Sequence, residues 1–233
     1  MVGTLTNLPS NPPSLYVDLE GVDLCRYGTI SILQIFVLPT NKTYLVDVYT
    51  LRGQAFSRKT RAGISLQSVL ESPDIPKVFF DVRNDSDALC NLYHIELRGV
   101  HDVQLMELAS RPGWKKWLKG LAKCIDTDLP LTIEERASCK AVKEKGLKLF
   151  APEHGGSYEV FNARPLSADI IRYCAHDVEF LPKLWKKYDQ RLNQTWKARV
   201  SLEVGNRLWL AWSPTYKGNV RNRERAWGPT AWW

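Results

Sequence analysis

Two carboxylates separated by one residue, Asp18 and Glu20, close an apolar segment with the composition of a β-strand, and Gly21 follows them. Side chains two positions apart on a strand point to the same face, so both carboxylates would project together from the strand end. Carboxylate oxygens are preferred ligands of Mg²⁺. The pair predicts half of a divalent-metal site, although such a triplet also occurs by chance at exposed strand ends.

Further candidate residues lie in two later segments. Asp81, Asp85 and Asp87 fall at a predicted strand-to-helix junction, and Tyr173 and Asp177 are four residues apart on a predicted helix. Residues four apart on a helix share one face. An Asp-x-Glu pair, an acid opening a helix after the fourth strand, and a late Tyr-x-x-x-Asp thus occur in one order. That combination is far rarer than any of its parts.

In this order the residues resemble the 3′-5′ exonucleases with four acidic residues and a catalytic tyrosine, of the ribonuclease D type. The resemblance covers residues 15–192 and is nearer to stand-alone domains of the Werner and Egalitarian type, since no second nucleic-acid domain is evident. Asp85 is preferred to its rival Asp81 because its interval to Asp102 is similar to an interval in the family. The resemblance implies five catalytic residues, all but the tyrosine being metal ligands: Asp18, Glu20, Asp85, Tyr173 and Asp177.

The resemblance also implies an activity. We expect a metal-dependent hydrolase that removes nucleotides from the 3′ end of RNA or DNA with two divalent cations, Mg²⁺ or Mn²⁺. Its expected partners are single-stranded nucleic acid or 3′ overhangs, and no protein partner is indicated. The family grips the 3′ end just after its first motif, which corresponds here to Gly21 and Leu24. Sugar preference and strand preference stay open.

Two other functions remain open. One is a nucleic-acid-binding adaptor that keeps the fold and cleaves poorly or not at all, against which stand the four acids and the tyrosine. The other is an internally cutting nuclease of the ribonuclease H kind, in which Tyr-x-x-x-Asp has no evident role. No serine or cysteine nucleophile stands in a recognisable catalytic context.

A basic and aromatic segment spans residues 114–123. Trp114, Lys115 and Lys119 combine stacking surfaces with cations, as proteins that bind single strands do. The alternative is a helix that buries Trp117 and leaves its lysines in solvent, and helical periodicity supports it equally. The net charge of +7 favours a polyanionic partner in either case.

Composition indicates one domain of ordinary core size in 233 residues, 44% of them hydrophobic. We expect an exonuclease domain over residues 1–212 and a Trp- and Arg-rich tail over residues 213–233, which wraps back on the domain or touches a ligand. The five scattered cysteines favour reduced thiols. With neither a signal-like N-terminus nor a long apolar segment, we expect an intracellular protein, cytoplasmic or nuclear, with no membrane partner.

The order of elements predicts the fold class. Three strands in a meander precede a strand, a helix and a short fifth strand, and the remainder is helical in pattern. We therefore expect an α/β fold with a mixed five-stranded sheet flanked by helices, three strands antiparallel and two parallel, and the resemblance implies that it is ribonuclease H-like. The predicted strands are 15–19, 29–37, 43–48, 77–80 and 99–101. The predicted helices are 65–71, 84–93, 103–108, 114–125, 134–150, 167–192 and 195–210.

Overall fold

A mixed sheet of five strands forms the centre of the computed structural model, which describes residues 1–218 and 226–232. The strands lie in the order β3-β2-β1-β4-β5. β1 pairs antiparallel with β2, and β2 pairs antiparallel with β3. β4 is parallel to β1 and to β5, which confirms the predicted sheet. The strands are β1 Leu15–Glu20, β2 Ile32–Val37, β3 Lys42–Asp47, β4 Lys77–Phe79 and β5 Val100–Asp102.

Helices cover both faces of this sheet. They are α1 Val48–Leu51, α2 Gln54–Ser57, α3 Leu66–Glu71, α4 Arg83–Tyr93, α5 Val103–Ser110, α6 Leu121–Asp128, α7 Ile133–Phe150, α8 Ala168–Glu179, α9 Leu181–Asp189 and α10 Gln194–Trp209. The single helix predicted over 167–192 is wrong, because α8 ends at Glu179 and α9 starts anew with a proline in its first turn. Proline lacks the N–H of an interior helical residue but is suited to a helix start.

The helix predicted from Trp114 is also wrong at its beginning, since α6 starts only at Leu121. The residues before it are extended and pair with the tail: Trp117 forms an antiparallel bridge with Trp227, and Leu118 N donates to the carbonyl of Ala226 at 2.9 Å. The side chain of Trp117 is 52% exposed, so the alternative in which a helix buries it does not hold either.

Alternation along β1 gives each face of the sheet its own core. Leu15, Val17 and Leu19 pack into the core that contains residues of α3 and α4. Tyr16 points the other way, into the core formed with α5, α6, α9 and α10. Asp18 continues the Tyr16 side of the strand, so the acidic end of β1 lies on the face covered by α8 and α9.

The described parts of the tail lie against the rest of the chain. Tyr216 donates a hydrogen bond to Asn84 Oδ1 at 2.7 Å, and Asn84 Nδ2 donates to the carbonyl of Gly218 at 3.3 Å. Further on, Trp232 packs edge-on against Trp196. Arg221, Arg223, Arg225 and Trp233 lie outside the described residues. The tail thus contacts the start of α4 and, further along, the start of α10.

Candidate active site

Three carboxylates from two elements converge at the end of β1. One oxygen each of Asp18, Glu20 and Asp177 lies within 4.8 Å of the others. Asp18 and Glu20 reach this point because they are two positions apart on one strand. Asp177 comes from α8, whose N-terminus is capped by Ser167 and which packs across β1, β2 and β3. Residues far apart in sequence therefore form one acidic group.

Tyr173 lies one turn before Asp177 and is almost fully buried. Its ring packs on Phe150 with 4.9 Å between the ring centroids. Gly146 of α7 lies directly against the ring, because a Cβ placed there would come within 2.3 Å of Tyr173 Cδ2. Only a glycine lets α7 approach this closely, so α7 fixes the position of the tyrosine.

Asp85 lies in the first turn of α4, and its carboxyl is electrostatically linked to that of Asp18. Burial, followed by the negative charge of Asp18, raises the pKa of Asp85 well above its usual value. Asp85 Oδ1 has no hydrogen-bond partner among the described residues. A buried carboxylate oxygen without a donor is costly unless a cation or another group satisfies it.

The two neighbouring aspartates have other roles. Asp81 accepts hydrogen bonds from Arg83 at 2.5 and 2.6 Å and from Arg207 at 3.3 Å. Asp87 is fully buried and forms a salt bridge of 2.6 Å with Arg26. Both carboxylates are thus held by guanidinium groups, and the assignment of Asp85 as the third acid stays a prediction.

Asp102 fixes the turn that presents Asp85. Its fully buried carboxylate accepts hydrogen bonds from the backbone N–H groups of Asp81 and Val82, both at 3.1 Å. It also caps α5 and accepts a hydrogen bond of 2.7 Å from Arg207. This carboxylate therefore joins the ends of β4 and β5 to the start of α4.

The clustered charges shift the acidity of the group. Burial, then the charge of Asp177, raises the pKa of Asp18 to about 7, with Lys143 acting in the opposite direction. Burial, then Asp18 and Asp177, also raises the pKa of Glu20 well above its usual value. For Asp177, burial acts to raise the pKa, but the Lys143 ammonium and neighbouring donors outweigh it and the pKa is lowered.

Lys143 is a member of this site that the sequence does not reveal. Its Nζ donates to the hydroxyl oxygen of Tyr173 at 2.8 Å and lies 3.3 Å from Asp177 Oδ2. It stands over the Tyr173 ring, 4.4 Å from the centroid. α7 also carries Lys140, Lys145 and Lys148, and no spacing in the sequence marks one of these four lysines as different.

The residues of the group fit a divalent metal. Every donor is a hard carboxylate oxygen, as Mg²⁺ and Mn²⁺ prefer. Asp18, Glu20 and Asp85 all have raised pKa values, partly through mutual repulsion, which a bound cation would relieve. The buried and unpartnered Asp85 Oδ1 is a further oxygen for such an ion.

The residues predicted to contact nucleic acid lie in two places. Gly21 follows β1 directly and has no room for a side chain, because a Cβ would lie 1.9 Å from the Thr29 carbonyl oxygen. Leu24 is partly buried against the core beneath α4. The loop that contains both residues is tied to α4 by the Arg26–Asp87 salt bridge.

The basic segment before α6 is engaged in the fold. Lys115 is buried, donates to the Arg111 carbonyl and lies over the ring of Trp196. Lys119 forms a salt bridge of 3.0 Å with Glu107. Trp114 differs from both, since it is 84% exposed. The two lysines therefore contact structural partners instead of the acidic group.

Among the described residues, no helix has the length and apolar character needed to span a bilayer.

The sequence matches a known protein family. A family model described as 3′-5′ exonuclease matches residues 3–193. No curated protein matches the sequence.

Three solved structures illustrate the similarity of fold. Trypanosoma brucei RNase D in complex with RNA U12 superposes with a TM-score of 0.72 and 21% identity, covering 99% of this chain and 72% of that one. Brucella melitensis NrnC superposes with a TM-score of 0.60 and 18% identity, covering 91% of this chain and 95% of that one. The catalytic core of RRP6 from T. brucei superposes with a TM-score of 0.59 and 19% identity, covering 89% of this chain and 48% of that one. These similarities confirm the predicted ribonuclease H-like fold.

Proposed function

Because the chain belongs to the 3′-5′ exonuclease family, we propose that it hydrolyses phosphodiester bonds from the 3′ end of RNA or DNA with two divalent cations. One observation carries the proposal: Asp18, Glu20 and Asp177 converge within 4.8 Å, beside the hydroxyl of Tyr173. The acids of an adaptor would have no reason to be gathered in this way, since their mutual repulsion costs stability.

The four acids would divide between two cation positions. Asp18, Glu20 and Asp177 would hold one cation, and Asp18 with Asp85 would hold the second. When bound, such a pair of cations supplies an activated water and neutralises charge on the phosphate. Mg²⁺ and Mn²⁺ both suit the oxygen ligands present.

Tyr173 would orient the attacking water without removing its proton. Burial, then the charges of Asp177 and Glu20, raises the pKa of its phenol well above the usual value. The hydroxyl therefore keeps its proton at neutral pH and can both donate and accept a hydrogen bond. Lys143 places a positive charge beside this hydroxyl, which is useful where negative charge accumulates.

The loop around Gly21 and Leu24 would hold the 3′ end. Its backbone lies close to Thr29 and its far end is fixed to α4 by Arg26, so it is positioned before substrate binds. Trp114 is exposed and could stack on a base of the strand. Lys115 and Lys119 would contact phosphates only after leaving their present partners.

Single-stranded nucleic acid, or a 3′ overhang, is the substrate that this arrangement favours. The basic charge of the chain would attract phosphates without reading sequence. The solved structures offer a parallel, since one RNase D structure contains RNA U12 and one NrnC structure contains pGG.

Digestion of a 5′-labelled oligonucleotide tests this function. With Mg²⁺ or Mn²⁺, the wild type should produce a ladder that shortens from the 3′ end, and Asp18→Ala and Asp177→Ala should not. Asp169→Ala is the matched control, because Asp169 lies on the same helix as Asp177 but is exposed and pairs only loosely with Lys145, at 3.7 Å. The substrates should be matched RNA, DNA and duplexes with overhangs.

The other outcomes identify the other functions. Equal binding by wild type and both variants with no ladder would support the adaptor. Internal fragments that appear before any shortening from the 3′ end would support an endonuclease.

A further inference from the structure

A cavity of about 470 Å³ lies between α6, α7 and α8, and Asp177 forms part of its wall. Because Asp177 also belongs to the acidic group, the cavity adjoins the proposed position of the scissile phosphate. Its volume falls within the range of roughly 300–1,000 Å³ that small-molecule sites occupy. It is large enough to admit part of a substrate.

The lining combines apolar and basic side chains. Ile125 and Leu131 supply apolar surface, and Lys140 and Lys143 supply cations from α7. The acids of the lining other than Asp177 already face cations: Asp126 pairs with Arg136 at 2.9 Å, and Glu144 with Lys140 at 3.8 Å. Apolar surface bordered by cations is the combination that a nucleobase and its phosphate require.

His176 adds a polar group whose contact with Asp177 is electrostatic. Its side chain is about nine-tenths buried, and its ring lies 4.9 Å from that of Phe180. Nδ1 is 3.8 Å from Asp177 Oδ1, and neither ring nitrogen has a hydrogen-bond partner among the described residues. Buried polar atoms are normally paired, and the edges of nucleobases carry both donors and acceptors. A base in the cavity would supply the missing partner.

The cavity and the loop that contains Gly21 are associated with different faces of the sheet. The loop is attached to α4, which packs on the Leu15 and Val17 face of the sheet. The cavity is bounded by helices of the other face, where Ile125 shares a core with Tyr16. A strand with its 3′-terminal nucleotide at the loop and its phosphate at the acids would direct the preceding nucleotide towards the cavity.

We propose that this cavity binds the nucleobase of the nucleotide on the 5′ side of the scissile bond. The inference rests on the proposed function, because that function places the phosphate at the acids. It adds a contact that recognises a base, whereas the acidic group itself recognises only the backbone.

Two alanines of α7 provide a matched test. Ala137 lines the cavity, whereas Ala141, one turn further on, lines a separate surface depression. Ala137→Phe should fill the cavity, and Ala141→Phe should not. Both are made in an Asp18→Ala background with Mn²⁺ so that the probe, a 5′-fluorescein single-stranded 8-mer, remains intact. A second probe lacks only the base of its penultimate nucleotide.

The expected result is specific to one nucleotide. Ala137→Phe should weaken binding of the intact 8-mer at least tenfold, and Ala141→Phe by less than twofold. The abasic probe should bind the parent protein at least tenfold more weakly than the intact probe, with no further loss in Ala137→Phe. Should Ala137→Phe fail to fold, which its melting temperature would reveal, Ala137→Leu takes its place, because it adds less volume at the same position of the lining and should give the same pattern with the two probes.

Other results overturn the inference. Equal binding of the two probes by the parent protein would show that the penultimate base makes no contact. The inference would also fail if Ala137→Phe bound the abasic probe still more weakly than the parent protein does. The substitution and the missing base would then act at different places. In both cases a ladder from the active wild type would leave the exonuclease function standing, whereas no ladder and no binding by any protein would remove both proposals.

Discussion

The ammonium of Lys143 donates a hydrogen bond of 2.8 Å to the hydroxyl oxygen of Tyr173. A cation from α7 therefore contacts the side chain that we propose to orient the attacking water. The same ammonium lies 3.3 Å from Asp177 Oδ2, so it also offsets part of the negative charge of the acidic group. α7 thus takes part in the site both through this lysine and through its close approach at Gly146.

Lys143→Gln should make the metal-free protein less stable. The change removes the positive charge beside Tyr173 and Asp177 and leaves the acids to repel one another, and we expect a loss of about 2 kcal/mol in the free energy of unfolding. Saturating Mn²⁺ should reduce the loss, because the metal supplies the missing charge. Urea unfolding in EDTA and in Mn²⁺ measures both values.

Lys140→Gln is the control for this change. Lys140 lies on the same helix, is largely exposed and has only a 3.8 Å contact with Glu144, so its replacement should alter stability by less than about 0.5 kcal/mol. Equal effects of the two substitutions, or an Lys143→Gln effect that Mn²⁺ leaves unchanged, would argue against a role for Lys143 in the charge of the site.

Gly146→Ala should disturb the site although glycine is normally a poor helix residue. The added methyl group would lie 2.3 Å from the Tyr173 ring, so α7 or the ring must move. We expect a loss of roughly 1–3 kcal/mol in stability, together with a fall in kcat. The methyl group added by Gly205→Ala in α10 would lie in open space, so this change should instead stabilise the protein by up to about 1 kcal/mol. Thermal melts and the rate of ladder formation compare the pair, and a stabilising Gly146→Ala would contradict the close contact.

Local rules predicted most of the framework. The alternation of β1 and the four-residue interval between Tyr173 and Asp177 are short-range patterns, and such patterns follow from the geometry of strands and helices. The predicted strands therefore recur in the structure with small shifts, such as β2 beginning at Ile32 instead of Thr29.

Short-range patterns do not predict contacts between residues that are far apart in the sequence. Lys143 reaches Tyr173 across 30 residues and a different helix, and its own segment has several lysines. Trp117 is extended because Trp227, 110 residues later, pairs with it, whereas its local periodicity favours a helix. Such contacts depend on how elements pack, which a local pattern does not specify.

The raised pKa of Asp18 predicts how the metal-free protein responds to pH. Its folded-state pKa is about 7, whereas an unfolded chain has the usual value near 3.8. The folded state holds the proton of Asp18 more tightly than the unfolded chain does. The stability gained in this way is present in full below the pKa of the unfolded chain and is lost as the pH rises to about 7. In EDTA, wild type should therefore lose stability relative to Asp18→Asn between pH 4.5 and pH 8, because asparagine does not ionise.

Mn²⁺ should reverse this trend. Metal and protons compete for the same carboxylates, so the rise in melting temperature caused by saturating Mn²⁺ should be greater at pH 8 than at pH 5.5. Melting curves of wild type and Asp18→Asn with EDTA or Mn²⁺ measure the effect. Parallel pH profiles of the two proteins in EDTA, or a melting temperature that Mn²⁺ does not move, would count against the metal site.

Asp85→Asn and Asp81→Asn should have different effects, the first on activity and the second on stability. Asp85 has a buried oxygen with no partner among the described residues, and burial and the charge of Asp18 raise its pKa. Asp85→Asn should therefore lower kcat by on the order of 10²-fold or more while leaving the fold intact. Asp81 instead holds Arg83 and Arg207, so Asp81→Asn should cost about 1–3 kcal/mol in stability. Asparagine tolerates the positive φ of 63° at position 81, so the backbone is not the cause of that loss. Urea unfolding and ladder assays on both variants separate the two roles. If Asp81→Asn lost activity at unchanged stability while Asp85→Asn remained active, Asp81 would be the third acid instead of Asp85.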